Sequence, residues 1–231
     1  MARDVLPSDP MLDLVKENSL TSALKTELER LIFEGSIKAG DRINESSLAA
    51  RFKTSRGPLR EALQALGEQG LISFERNRGA FVRRIAMEEA EELYDVRAAL
   101  DDKVARKVAG RLTEEQGAAL DDLLREMDGD VKANDVARYY TNNLRFHDLL
   151  VQYAGNRRLA EIYRRVIKEL HLFRLQGLYA GGAAISNVEH RYILSAIRTG
   201  DADGAGRAMR NHIEAARVRM RRAVKAAVEV E

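Results

Sequence analysis

Proline occurs at only three positions, 7, 10 and 58, so nearly the whole chain beyond the first ten residues is free to be helical. Hydrophobic residues make up 45% of the 231, enough for packed cores, and 32% are charged, which argues for a folded and soluble chain. That length suits two domains of ordinary size, since domains commonly run to roughly 100–150 residues. The chain has no cysteine, which excludes disulfides, iron–sulfur clusters and thiolate zinc sites. It has no long uncharged apolar run and no apolar leader, so the expectation is a cytoplasmic protein that does not enter a membrane.

The net charge of +2 says little about partners, but its distribution says more. Over 51–84 the bases are Arg51, Lys53, Arg56, Arg60, Arg76, Arg78, Arg83 and Arg84, against the acids Glu61, Glu68 and Glu75. Glu88-Glu89-Ala90-Glu91-Glu92 then reverses the sign. Such a switch fits a polyanion-binding module ending near Ile85, which gives an N-terminal arm at 1–17, a basic domain at 18–84 and a second domain at 85–231.

Within 18–84, Leu24, Leu28, Leu31 and Ile32 recur at helical spacing after the potential caps Ser19 and Thr21, and Gly35 and Gly40 end the pattern. Asn44 can cap a second helix bearing Leu48, Ala49 and Phe52. Ser55 can cap a third bearing Leu59, Ala62, Leu63 and Leu66, with Pro58 tolerated in its first turn. After Gly70, the stretches 71–74 and 80–82 predict short strands around a basic tip. Three helices and a hairpin in this order predict a winged helix-turn-helix. Arg56 and Arg60, four apart, share the face opposite the leucines, where guanidinium groups can meet guanine edges or phosphates.

Beyond Ile85 the periodicity is helical throughout, which predicts an all-α bundle and makes the whole chain mostly α with a small β-wing. Leu93, Val96, Leu100, Val104 and Val108 form one apolar stripe. Thr113-Glu114-Glu115-Gln116 and Ser186-Asn187-Val188-Glu189 read as capping boxes, and Asn134 and Asp201 as caps. Gly155-Asn156 separates two helices, and Gly181-Gly182 closes the second of them.

The run IKAGDRINESSLA, then SRGPLREALQALGEQGLI, then Arg78-Gly79-Ala80-Phe81-Val82, resembles the N-terminal domain of GntR-family transcription regulators. The resemblance implies that Ser55, Arg56, Gly57 and Arg60 meet DNA in the major groove and that Arg78 and Gly79 at the wing tip approach the minor groove. Lys53-Thr54 departs from the Gly-Val pair frequent in the family. Three patches in the second half resemble the FCD effector domain of the FadR-like branch. They are YDVRAALD at 94–101, NLRFH at 143–147 with Ala154-Gly155-Asn156, and Val188-Glu189-His190 through His212-Ile213.

That likeness implies a divalent metal, zinc or nickel first, at Asn143, His147, His190 and His212. Asn143 and His147, four apart, share a helical face, whereas His190 and His212 come from later helices. His171 is read as an ordinary packing or surface residue. Asn143 stands where the family most often has an acid, so the ion would keep its charge uncompensated and favour a small anionic effector, a carboxylate by preference. Arg97 either clamps that anion, as the family pattern suggests, or pairs with Asp101 one turn later.

The expected function is a repressor that binds a palindromic double-stranded DNA operator as a homodimer and is controlled by that effector. Two alternatives stand beside it: a metal-dependent enzyme acting on small organic acids, and an architectural DNA-binding protein without an effector.

Overall fold

The computed structural model describes residues 10–174 and 182–228, and it divides into two compact units. One holds the residues up to Ile85 with a short segment starting at His171; the other starts at Ala86. The expected arm falls partly outside the described residues, at 1–9.

In the first unit α1 (Pro10–Phe33), α2 (Glu45–Arg51) and α3 (Arg56–Glu68) precede β1 (Ile72–Glu75) and β2 (Gly79–Val82). Helix α1 starts at Pro10, well before the expected caps Ser19 and Thr21. A proline at the first helical position forfeits no intrahelical bond, and no breaker follows until Gly35. Leu24, Leu28, Leu31 and Ile32 are buried, and α1 packs on α3, whose Leu59, Ala62, Leu63 and Leu66 face inward. Asn44 caps α2, its side chain accepting from the Ser47 amide at 3.0 Å. Ser55 holds the N-cap position of α3 in extended conformation, but its side chain makes no capping bond.

The strands pair antiparallel with Ile72 opposite Val82 and Glu75 opposite Gly79. A third line of backbone lies alongside. The Gly40 amide donates to Val82 O at 2.8 Å and the Ile43 amide to Ala80 O at 2.8 Å, so 40–43 braces the wing from its inner edge.

The second unit holds α4 (Met87–Val108), α5 (Glu114–Lys132), α6 (Val136–Tyr153), α7 (Arg157–Arg174) as far as Leu170, α8 (Ala183–Arg198) and α9 (Ala202–Val228). Helix α4 packs along α9 and touches α6 and α8; α5 packs on α6 and α8. Leu120, Leu124, Met127, Phe146, Leu150, Ile193, Ile197 and Met209 belong to its core. Among the described residues no helix is long and apolar enough to cross a membrane.

Several expected boundaries move. The buried face of α4 is Ala90, Tyr94, Arg97, Ala98, Asp101, Val104, Ala105 and Val108, while Val96 is 45% exposed and Leu93 and Leu100 lie at the margin. Val104 and Val108 of the expected stripe are buried as expected, but the inward face departs from its first half, where two charged residues, Arg97 and Asp101, mask the period. Thr113 and Gln116 do form a capping box, and Asp201 accepts from the Gly204 amide at 2.8 Å at the start of α9. Asp135, not Asn134, caps α6: its side chain accepts from the Arg138 amide, and Asn134 takes φ 54° just past α5. Ser186 lies inside α8, which begins a turn earlier behind Gly182. Of the expected Gly181-Gly182 stop, Gly181 lies outside the described residues.

Candidate DNA-reading surface and metal centre

The buried leucines of α3 turn its opposite face outward. Ser55, Arg56, Gly57 and Arg60 are all exposed there. The helix start offers amides without intrahelical partners, and the uncapped Ser55 hydroxyl is exposed beside them. The Arg60 side chain is 63% exposed and pairs with Glu45 at 2.6 Å. Such a solvent-facing pair is worth little, so a phosphate or base can displace Glu45 at small cost.

At the wing, Arg78 is exposed, pairs with Glu75 and lies over the Phe81 ring at 5.4 Å. Gly79 has φ 98°, a backbone state that L side chains rarely adopt, so the tight turn depends on glycine. Sequence reasoning missed Arg42. It is exposed on the bracing segment, forms a bridge to Phe81, and its Nε lies 3.7 Å from where a Cβ on Gly79 would sit. The signal was present in Gly40-Asp41-Arg42-Ile43, with Ile43 buried and its neighbours exposed, but this segment was not assigned to the wing.

In the helical unit three rings from three helices converge: His147 on α6, His190 on α8 and His212 on α9, all buried. The His212 Nε2 stands 3.1 Å from the His190 Nε2 and 3.3 Å from the His147 Nε2. Behind two of the rings stand carboxylates, Asp101 Oδ1 at 3.3 Å from the His147 Nδ1 and Glu189 Oε2 at 2.7 Å from the His212 Nδ1. Burial drives the His147 pKa down to about 4, against the opposing pull of Asp101. Burial likewise lowers His190, well below the usual value, and His212, which Glu189 partly opposes. The three imidazoles are therefore neutral at pH 7, the ligand form. Burial would raise the Asp101 and Glu189 carboxyls, but His147 with Arg97, and His212 with Arg219, hold them below their usual values.

This donor set fits a divalent ion. Four ligands arranged tetrahedrally about 2.0–2.1 Å from zinc lie about 3.3–3.4 Å apart, close to the two separations observed. Asn143 lies one turn before His147 on α6 and is half-buried. Arg97, 2% exposed, places its Nε 3.1 Å from Asp101 Oδ2. This is the ion pair expected between them. His171, on α7, is not in the histidine group.

A winged helix-turn-helix followed by a helical domain with a buried histidine centre is the build of a DNA-binding regulator that answers to a chemical signal. Residues 20–82 match the bacterial regulatory proteins of the gntR family, and residues 92–215 match the FCD domain. The chain belongs to the GntR family of transcription regulators, in the group that carries an FCD domain. It is similar to the Nta operon transcriptional regulator of Aminobacter aminovorans, 30% identical over 77% of this chain and 83% of that one. It also resembles the transcriptional repressor RspR of Escherichia coli, 28% identical over 81% and 82% of the two chains. A crystal structure of a GntR-type regulator from Rhodococcus superposes with a TM-score of 0.71 at 25% identity, covering 87% of this chain and 97% of the other. These relatives regulate transcription and are not enzymes, which sets the metalloenzyme alternative aside.

Proposed function

We propose that the protein is a homodimeric repressor whose hold on a palindromic operator is controlled by a small carboxylate bound at a metal-containing pocket of the helical domain. The observation that carries this reading is the convergence of the three imidazole Nε2 atoms inside that domain. His147, His190 and His212, with the Asn143 amide oxygen, would hold zinc or nickel. When bound, the ion supplies a Lewis-acidic attachment point for one oxygen of the effector. All four protein ligands are neutral, so the pocket favours an anion over a neutral metabolite. Arg97 offers the second anchor, on condition that its guanidinium shares itself between Asp101 and the effector.

Ser55, Arg56, Gly57 and Arg60 would enter the major groove, and Arg78 and Gly79 would approach the minor groove with Arg42 beside them. A single recognition helix spans few base pairs, which is why a dimer on two half-sites is the working form. The effector lowers operator affinity by favouring dimer conformations that do not hold DNA, and only a difference in its affinity for the two states can do so. RspR, a relative named as a repressor, supports the direction.

The test starts with metal analysis of the purified protein. Operator binding is then followed while small carboxylates are added, before and after chelation. The expected result is about one zinc or nickel per chain, release of DNA by at least one carboxylate, and loss of that response on chelation. No metal, together with operator binding indifferent to every carboxylate, would overturn the reading.

A further inference from the structure

We propose that Glu189 and Asp101 are positioning residues of the histidine centre, each holding one imidazole with its Nε2 turned inward and thereby setting the centre's affinity for a divalent cation. The inference rests on the metal reading above and adds the residues that make the ligands competent.

A neutral imidazole carries one proton, and the nitrogen that bears it cannot ligate. A carboxylate only accepts, so Glu189 Oε2, 2.7 Å from the His212 Nδ1, fixes that ring as the Nδ1–H form with a bare Nε2. Asp101 Oδ1 does the same for His147 at 3.3 Å. Both carboxylates are themselves held. The Arg219 Nη1 donates to Glu189 Oε1 at 3.2 Å, and the Arg97 Nε donates to Asp101 Oδ2 at 3.1 Å. An arginine on each carboxylate keeps it ionised, stops it from swinging round to ligate directly, and cancels its charge, so the support adds no net charge to the centre.

His190 supplies the contrast. Its Nδ1 is buried with no hydrogen-bond partner among the described residues, while its Nε2 stands 3.1 Å from the His212 Nε2 that Glu189 leaves bare, so in the metal-free centre His190 donates its Nε2–H to His212 and has to move that proton to Nδ1 before it can ligate. Two of the three rings are therefore set for ligation in advance, and the third is reset by the ion. A purely structural role is the competing explanation. Glu189 ties α8 to α9 through Arg219, and Asp101 neutralises buried Arg97. Such ties would change stability but neither the proton's location on the rings nor the affinity for a cation.

Nitrogen-15 spectra of the histidine rings in the full-length, metal-free protein read the tautomers directly. His147 and His212 are expected as Nδ1–H forms. Zinc or nickel alone is then titrated into the wild type, Glu189→Gln and Asp101→Asn, with affinity expected to fall about 10–100-fold in each variant. Wild-type affinity in both folded variants, or a proton on Nε2 of either ring, would overturn the proposal. If the variants do not fold, the wild-type tautomers still decide it. If the wild type binds neither ion, the metal reading fails, while the tautomers continue to test the placement of the rings.

Discussion

Arg56 and Arg60 are exposed on the face of α3 that Leu59 and Leu63 leave free, and they differ in what restrains them. Arg60 is held by Glu45 at 2.6 Å, whereas Arg56 has no ion pair among the described residues. Replacing either with alanine should cost about 1–3 kcal/mol of operator binding if it reads a base, whereas a phosphate contact should appear as a shallower dependence of affinity on salt. Arg42→Ala is expected to behave in the second way, reducing the slope of log affinity against log salt by about 0.9. Anisotropy titrations over a salt series separate the two, and an unchanged slope would remove Arg42 from the interface.

The histidines carry a pH prediction. His147 has a folded pKa of about 4, below its unfolded value near 6.5, so the unfolded chain binds more protons between those limits. The stabilisation from keeping this ring neutral is complete above pH of about 6.5 and declines as pH falls toward 4. His190 and His212 shift in the same direction and add to the trend. Thermal melts of the metal-free protein should show the decline, and a melting temperature constant over this range would contradict it. The three histidines were legible through a family resemblance. Their supports were not, because Asp101 lies 46 residues from His147 and Glu189 lies 23 from His212, and spacing gives no hint of either pairing.

Elements were legible where a local rule decides them. Asn44, Thr113 and Asp201 cap helices as their chemistry suggests, because a side-chain oxygen near orphan amides acts within three residues. Helix α4 was legible as a helix but not in its orientation, since burial of Arg97 and Asp101 against the histidine centre outweighs the apolar stripe through Val96. Denaturant unfolding checks this rotation. Val96→Ser should stay within about 0.5 kcal/mol of wild type, whereas Leu120→Ala, in the closed core, should cost about 2–5 kcal/mol. A large loss at Val96 would restore the original stripe. The junction of α4 and α8 makes a second check. Gly110 has φ 68°, donates to Ile197 O, and a Cβ there would come within 3.3 Å of Gly200 Cα. Gly110→Ala combines a left-handed backbone with backbone crowding, so a loss of about 1–3 kcal/mol is expected.

At the scale of the whole molecule, the reversal of charge after Arg84 and the change from mixed to purely helical periodicity placed a basic, polyanion-binding module ahead of an all-helical one, and the family resemblance alone made the second an effector domain. The effector and the operator were not legible, because each depends on complementarity to a molecule that the sequence does not contain. What links the modules to one function is the outward pair of guanidiniums on α3. The most direct measurement selects bound sequences from a random DNA pool with the wild type and with a folded Arg56→Ala, Arg60→Ala double variant. The wild type is expected to enrich an inverted repeat, and the double variant to enrich none and to bind the wild-type repeat at least about tenfold more weakly. Recovery of the same repeat at the same affinity by the double variant would contradict the assignment of α3 as the reading helix.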